Sequence, residues 1–311
     1  MRHGSLMSGS DIIYSMPTRE YRVQLITPQM IQTGIPALSN VCPIEKGGQK
    51  LVYKATHSSY GDVVVKLIID PSDNARTQRE IEIASKCSPP NVPTLFEWGP
   101  ITCNSTQTLY LLEQFIEGNT LRELLVANPS GGLPQNQCLK LLHSLLVTAV
   151  ELEKLDLVHR DIKPENIIID TSGEVWLLDF GIARDLNQAS ITATAAQYGP
   201  HTAGYAAPEQ FRNLKKEIDI KADLFAIGVV VYEAFTGVNP FVSGAHSPYD
   251  VLYRTETLMQ TPLLIIGDSQ KQLSGFIDIL MSKYPSRRPA SAQLALDWYL
   301  ALLPTQKSSS S

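Results

Sequence analysis

The chain has 311 residues, 43% hydrophobic and 18% charged, with a formal net charge of −5. That is room for about two domains, or one large bilobal one, at the balance of an ordinary globular protein. The charge argues against nucleic acid or an anionic membrane as a partner, and the four cysteines (Cys42, Cys87, Cys103, Cys138) form no CxxC pair of the kind a zinc site or disulfide framework uses.

Residues 1–38 mix Ser, Gly and Pro with short apolar runs and are read as an extension of unknown structure. The opening MRHGSLMSGS lacks the apolar core of a signal peptide. No apolar run reaches the roughly 20 residues that cross a bilayer, so a cytoplasmic protein without a membrane partner is expected. From Val41 to Phe115 the signals are mainly β. Leu51-Val52-Tyr53 and Val63 to Ile68 read as strands with Gly61-Asp62 between them, a hairpin pattern. A helix that Ser72 or Asp73 could cap, carrying Ile81, Ala84 and Cys87, interrupts the strands. A further strand is read at Leu109 to Phe115, running into a turn at Glu117-Gly118-Asn119.

Beyond this point the pattern is helical. Cys138, Leu141, Leu142, Leu145, Ala149 and Leu152 keep the i, i+3, i+4, i+7 spacing, and Leu224 to Tyr232 is apolar almost all round. The polar residues 304–311 are expected to be disordered. The fold class is therefore α+β, with a small β-rich lobe at 39–117 holding one helix and a larger, mainly helical lobe at 118–303. Two lobes with a hinge make a cleft, a favoured place for a ligand.

The segment with the most chemistry is His159-Arg160-Asp161-Ile162-Lys163-Pro164-Glu165-Asn166, followed by the strand-like Ile167 to Ile169, by Val175 to Leu178 and then by Asp179-Phe180-Gly181. Here the sequence resembles the protein kinase family, from about Pro43 to Leu302. The residue types suit that chemistry. Phosphoryl transfer needs charge neutralised on a triphosphate and a hydroxyl held in line with it. Metal ions such as Mg²⁺ or Mn²⁺ need oxygen ligands converging from separate segments, which Asn166 and Asp179 could supply. Asp161 can accept or orient the substrate hydroxyl, and Lys163 can offset charge on the migrating group. Taken singly, an Asp or Asn near a turn is usually a capping or turn residue.

For ATP, the resemblance implies that Lys66 holds the α- and β-phosphates and that Glu80 orients it, with Glu82 on another face of the helix and Pro90 to Leu95 falling where the family has its next strand. A lysine in so apolar a strand is costly unless paired. The glycine loop departs from the family. Glu45-Lys46-Gly47-Gly48-Gln49-Lys50-Leu51-Val52 keeps the middle glycine, Gly47, with Gly48 beside it, while Glu45 and Lys50 stand where the outer glycines would be. Val52, Val64 and Ile168 would sandwich the adenine, or simply belong to the core. Aligning Glu117-Gly118 with the family's hinge sets Gln114, Phe115 and Ile116 against the adenine edge and Glu113 at the gatekeeper position. A register shifted by one residue is the alternative.

Gly204-Tyr205-Ala206-Ala207-Pro208-Glu209 resembles the end of an activation segment. Arg288 is then the expected partner of Glu209, and Asp223 the brace of the catalytic loop. Lys163 and Thr202 point to serine and threonine rather than tyrosine as acceptors, with His201 in place of a usual glycine. Arg160, Arg184 and Arg76 would converge on a phosphorylated Thr192 or Thr194, or those hydroxyls merely serve a polar loop. The resemblance is to bacterial serine/threonine kinases, with ATP and a protein bearing Ser or Thr as partners. A nucleotide-binding scaffold without turnover and a small-molecule kinase of related fold are the rivals, and oligomeric state is not legible.

Overall fold

A computed structural model describes residues 26–46, 50–68, 81, 89–103, 106–128, 131–178, 204–212 and 218–303. The chain forms two compact units. One comprises Met1–Asp70 and Trp98–Leu112, the other Pro71–Glu97 and Glu113–Ser311. The sequence had put the join near Glu117-Gly118.

The first unit is built on a sheet of five strands in the order β1-β2-β3-β5-β4: β1 (Leu38–Lys46), β2 (Lys50–His57), β3 (Gly61–Ile68), β4 (Leu95–Cys103) and β5 (Thr106–Gln114). β2 and β3 form the expected hairpin, in unbroken antiparallel register from Lys50↔Ile68 to His57↔Gly61. Its turn lies one step earlier than the sequence implied. Gly61 and Asp62 open β3 rather than linking the strands, and Gly61 adopts φ 74°, a conformation that suits glycine because it has no Cβ. Strict alternation puts Leu51, Tyr53, Ala55, Val63, Val65 and Leu67 in the core, each at most 4% exposed, and leaves Val52, Lys54, Val64 and Lys66 on the opposite face.

At one edge of the sheet, β1 accommodates Pro43, which has no N–H to give a ladder, at a break in register between Pro43 and Glu45. The stretch that the sequence left unassigned contains a helix, α1 (Pro28–Gly34), with Pro28 at its start and Thr27 as cap. Its Ile31 is fully buried, and the Tyr53 hydroxyl donates to the Ile26 carbonyl at 3.2 Å.

Of the expected helix after Ser72, only Ile81 lies among the described residues. It is helical and fully buried. Pro90 to Leu95 is a turn followed by the first residue of β4, not a strand throughout. Asn91 there has φ 65°, and its side chain donates to the Val175 carbonyl at 2.8 Å.

The second unit carries α2 (Leu121–Ala127), α3 (Gln135–Lys154), α4 (Pro208–Phe211), α5 (Ile220–Thr236), α6 (Pro248–Thr257), α7 (Gln272–Leu280) and α8 (Ala292–Leu302). Every residue of the α3 period read from the sequence is buried. α5 is buried on all sides from Ala222 to Ala234, as its uniform apolarity requires. It starts at an Asp219 cap and stops at Gly237, φ 75°, whose N–H returns to the Glu233 carbonyl.

A second, three-stranded sheet β6-β7-β8 joins β6 (Gly118–Thr120), β7 (Ile167–Asp170) and β8 (Val175–Leu177). The sequence had read Glu117-Gly118-Asn119 as a turn, whereas Gly118 and Asn119 pair with Asp170 and Ile169. A Cβ on Gly118 would stand 2.4 Å from the Ile169 carbonyl oxygen, so only glycine lets the chain lie this close to β7. Among the described residues no helix is long and apolar enough to cross a membrane.

Candidate active site

The loop between α3 and β7 is held by bonds to distant backbone and to one buried carboxylate. His159 is buried, and its Nε2 donates to the Leu178 carbonyl at 2.9 Å while its Nδ1 accepts the Asp161 amide at 3.3 Å. Donation from one nitrogen and acceptance at the other define the neutral Nε2–H tautomer. The Leu178 amide in turn donates to the Asn166 carbonyl at 2.8 Å. The loop is thus fastened to the residue that precedes Asp179.

Within the loop, the Asn166 side-chain amide donates to the Asp161 carbonyl at 2.8 Å and to Asp161 Oδ2 at 3.2 Å. Lys163 Nζ lies 3.4 Å from the same carboxylate oxygen. Three residues named from the sequence are therefore brought together as one polar group. Because both bonds use the Asn166 nitrogen, its amide oxygen is turned away from Asp161. That oxygen has the hard character magnesium prefers. Among the described residues no cluster of three or more His, Cys, Asp or Glu could hold a metal.

Asp223, 1% exposed on α5, accepts the His159 amide at 2.7 Å and the Arg160 amide at 2.8 Å. Arg160 needs this support, since its φ of 65° is unusual for a long side chain. Burial pushes the Asp223 carboxyl up to about 6, against the opposing pull of the two amides and the Arg160 charge.

The segment entering α4 is locked down as the sequence anticipated for Glu209. Arg288 reaches Glu209 with two nitrogens, at 2.5 and 3.0 Å, with both side chains buried, and also donates to the carbonyls of Ser282 and Lys221. Two further ties were not legible in the sequence. Gln210 donates to the Arg160 carbonyl at 3.1 Å while accepting the Ala207 amide at 2.9 Å. Arg122 on α2 joins Glu165, Glu233 and Tyr205. Apart from the local Gln210–Ala207 bond, these partners lie 43 to 111 positions apart, so no local spacing announces them.

On the first unit, Val52 and Lys66 are direct cross-strand partners and Val64 shares their face, paired with Lys54. Lys66 is 7% exposed. On the second, the Gln114 amide donates to the Thr94 carbonyl at 2.9 Å, Ile116 is buried at 8%, and Ile168 pairs with Thr120 and Trp176. Gly47, Gly48, Glu80 and Asp179 lie outside the described residues, as do Arg76, Arg184, Thr192, Thr194, His201 and Thr202.

A five-stranded sheet with its own unit, a helical unit and an aspartate–lysine–asparagine loop braced by a buried helix define a protein kinase domain. The model of the protein kinase domain family matches residues 41–300, and the chain belongs to that family. Proteins it is similar to include serine/threonine kinases of bacteria. A probable serine/threonine-protein kinase PknB of Bifidobacterium longum is 31% identical over 230 residues, 70% of this chain and 32% of that one. The PknB of Corynebacterium glutamicum is 31% identical over 268 residues, 82% of this chain and 40% of that one. The chain thus spans about a third of the length of the curated relatives it matches. Among solved structures, the Mycobacterium tuberculosis PknI kinase domain superposes with a TM-score of 0.61 at 19% identity, covering 85% of this chain and 96% of that one. That likeness is one of fold.

Proposed function

We propose that this domain transfers the γ-phosphoryl group of ATP to serine or threonine hydroxyls of a protein substrate. The observation that carries the reading is the Asp161–Lys163–Asn166 group, in which a lysine and an amide fix the same carboxylate oxygen. A carboxylate so held can orient an incoming hydroxyl and take its proton. The hydroxyl oxygen bonds to the γ-phosphorus, the bond from that phosphorus to the β,γ-bridging oxygen breaks, and the electron pair leaves with ADP. Lys163 is assigned to offset negative charge on the group in transit.

Lys66 is the residue we assign to the α- and β-phosphates, with Glu80 orienting it. Val52, Val64 and Ile168 are assigned to the adenine faces, and Gln114 and Ile116 to its edge. The shared face of Val52, Val64 and Lys66 supports this. Gly47 and Gly48 are assigned to the phosphates through their backbone amides. Asn166 and Asp179 would hold magnesium or manganese, which when bound neutralises phosphate charge.

The test is transfer of label from γ-labelled ATP with Mg²⁺ or Mn²⁺, to the chain itself and to a generic basic protein, in the wild type and in Asp161→Asn. Label on serine or threonine that disappears in the variant is expected. No label, with ATP still raising the melting temperature, would replace the proposal with a nucleotide-binding scaffold.

A further inference from the structure

The cluster around Arg122 joins four parts of the second unit at one guanidinium. Its Nε donates to Glu165 Oε1 at 2.8 Å, one terminal nitrogen to Glu233 Oε1 at 2.8 Å, and the other to the Tyr205 hydroxyl at 2.5 Å. That hydroxyl donates onward to Glu233 Oε2. Each edge of the planar fork thus meets a different acceptor, an arrangement that an ammonium on a flexible stem does not reproduce. The side chain of Glu233 is 5% exposed, against 30% for Arg122 and 42% for Glu165.

The places of these groups matter more than their number. Glu165 stands in the 3-10 turn Pro164–Asn166, between Lys163 and the asparagine that fixes Asp161. Tyr205 lies in the short stretch before α4, and Glu233 on the buried helix α5 that also supplies Asp223. Arg122 itself is placed twice over. A capping box of Thr120 and Glu123 starts α2, and β6 immediately before it pairs with β7, the strand that follows Asn166. Burial opposes the charge on Arg122, but Tyr205, Glu165 and Glu233 more than offset it, and the guanidinium stays protonated.

We propose that Arg122 is a positioning residue for phosphoryl transfer, holding the catalytic loop at Glu165 and the segment entering α4 at Tyr205 in register with each other on Glu233. It touches no reacting atom and acts through Asn166 and Asp161. The proposal rests on the kinase reading above.

The experiment measures kcat, the KM for ATP and thermal melting in the full chain for wild type, Arg122→Leu, Arg122→Lys and Tyr205→Phe, with Asp161→Asn as the zero. Arg122→Leu is expected to lower kcat by about ten-fold or more with the KM for ATP held within about two-fold, since misplacing a catalytic loop costs rate rather than nucleotide binding. Arg122→Lys should regain only a minor part of that loss, because charge without the fork does not restore the geometry. Tyr205→Phe, which removes one hydroxyl, should lower kcat in the same direction while still melting cooperatively. The proposal is overturned if Arg122→Lys equals the wild type, or if folded Arg122→Leu keeps the wild-type kcat. Should Arg122→Leu fail to fold, a fully active Tyr205→Phe would overturn it equally. Label in the wild type no greater than in Asp161→Asn would instead remove the kinase reading, an outcome separate from any difference among the Arg122 variants.

Discussion

Asp223 accepts the amide of Arg160 at 2.8 Å, and this bond holds a residue whose φ of 65° places it in the left-handed region. The residue that follows is Asp161. A buried helix therefore dictates, through one carboxylate, the path of the backbone that presents the carboxylate assigned to catalysis. The same relationship fixes what should happen when it is weakened.

Replacing Asp223 by Ala leaves two buried amides without their acceptor, at a cost of about 1–3 kcal/mol each. Urea unfolding should show the loss, and label transfer should fall with it. Asp223→Asn keeps one acceptor and should be intermediate. The pH dependence has a definite sign. Burial lifts the Asp223 carboxyl to about 6, above its unfolded value of about 4, so the native state binds more protons between those values and stability falls as pH rises across that window. Wild-type unfolding measured across it should carry this slope, and Asp223→Asn should lack it.

The Glu209–Arg288 pair is buried on both sides. Removing either partner strands the other charge, and Glu209→Ala or Arg288→Ala should each cost ~3–5 kcal/mol in equilibrium unfolding. A Glu209→Leu/Arg288→Met double variant should recover part of the loss, because no lone charge remains. If the singles unfold at the wild-type urea midpoint, the pair contributes nothing.

Lys283 is the opposite case. Its ammonium is buried over the Phe241 ring at 4.1 Å and, among the described residues, has no hydrogen-bond partner. Burial and the neighbouring Arg288 charge push its pKa down to about 8. The unfolded chain then binds more protons than the native one from about pH 8 to about pH 10.4, and stability rises with pH across that window. Lys283→Met should raise the melting temperature by a few degrees and abolish that rise. Calorimetry at pH 7 and pH 9.5 reads both effects.

Gly118 and Gly131 give a matched pair of substitutions. Alanine at Gly118 would drive a methyl group into the β7 backbone, an overpacking cost of ~1–3 kcal/mol. Alanine at Gly131 meets nothing within 4 Å and should leave the melting temperature unchanged. Equal behaviour of the two variants would show that the β6–β7 contact yields readily.

The family and the fold class were open to reading in the sequence because their signals are local. His159 to Asn166 is a single segment, the α3 core residues recur at helical spacing, and β2 and β3 alternate with period two. The pairing of Glu209 with Arg288 and of Asp223 with the loop came from the family resemblance rather than from spacing. Where the local reading went astray, tertiary packing was responsible. Gly118 and Asn119 look like a turn, yet they form a strand because β7 offers a ladder and Gly118 has no side chain to keep it away. The helix at Pro28–Gly34 shows no period because only Ile31 is buried along it.

By itself, then, the sequence determined which faces are apolar and which segment matches the family's catalytic motif, since both are properties of a few consecutive positions. Only the tertiary structure decided how that segment is held. The ties of Gln210 to Arg160, of His159 to Leu178, and of Arg122 to Glu165, Tyr205 and Glu233 are hydrogen bonds a few ångströms long between groups 19 to 111 positions apart. Bonds of that reach form only after helices and strands have packed, and no periodicity along the chain encodes them.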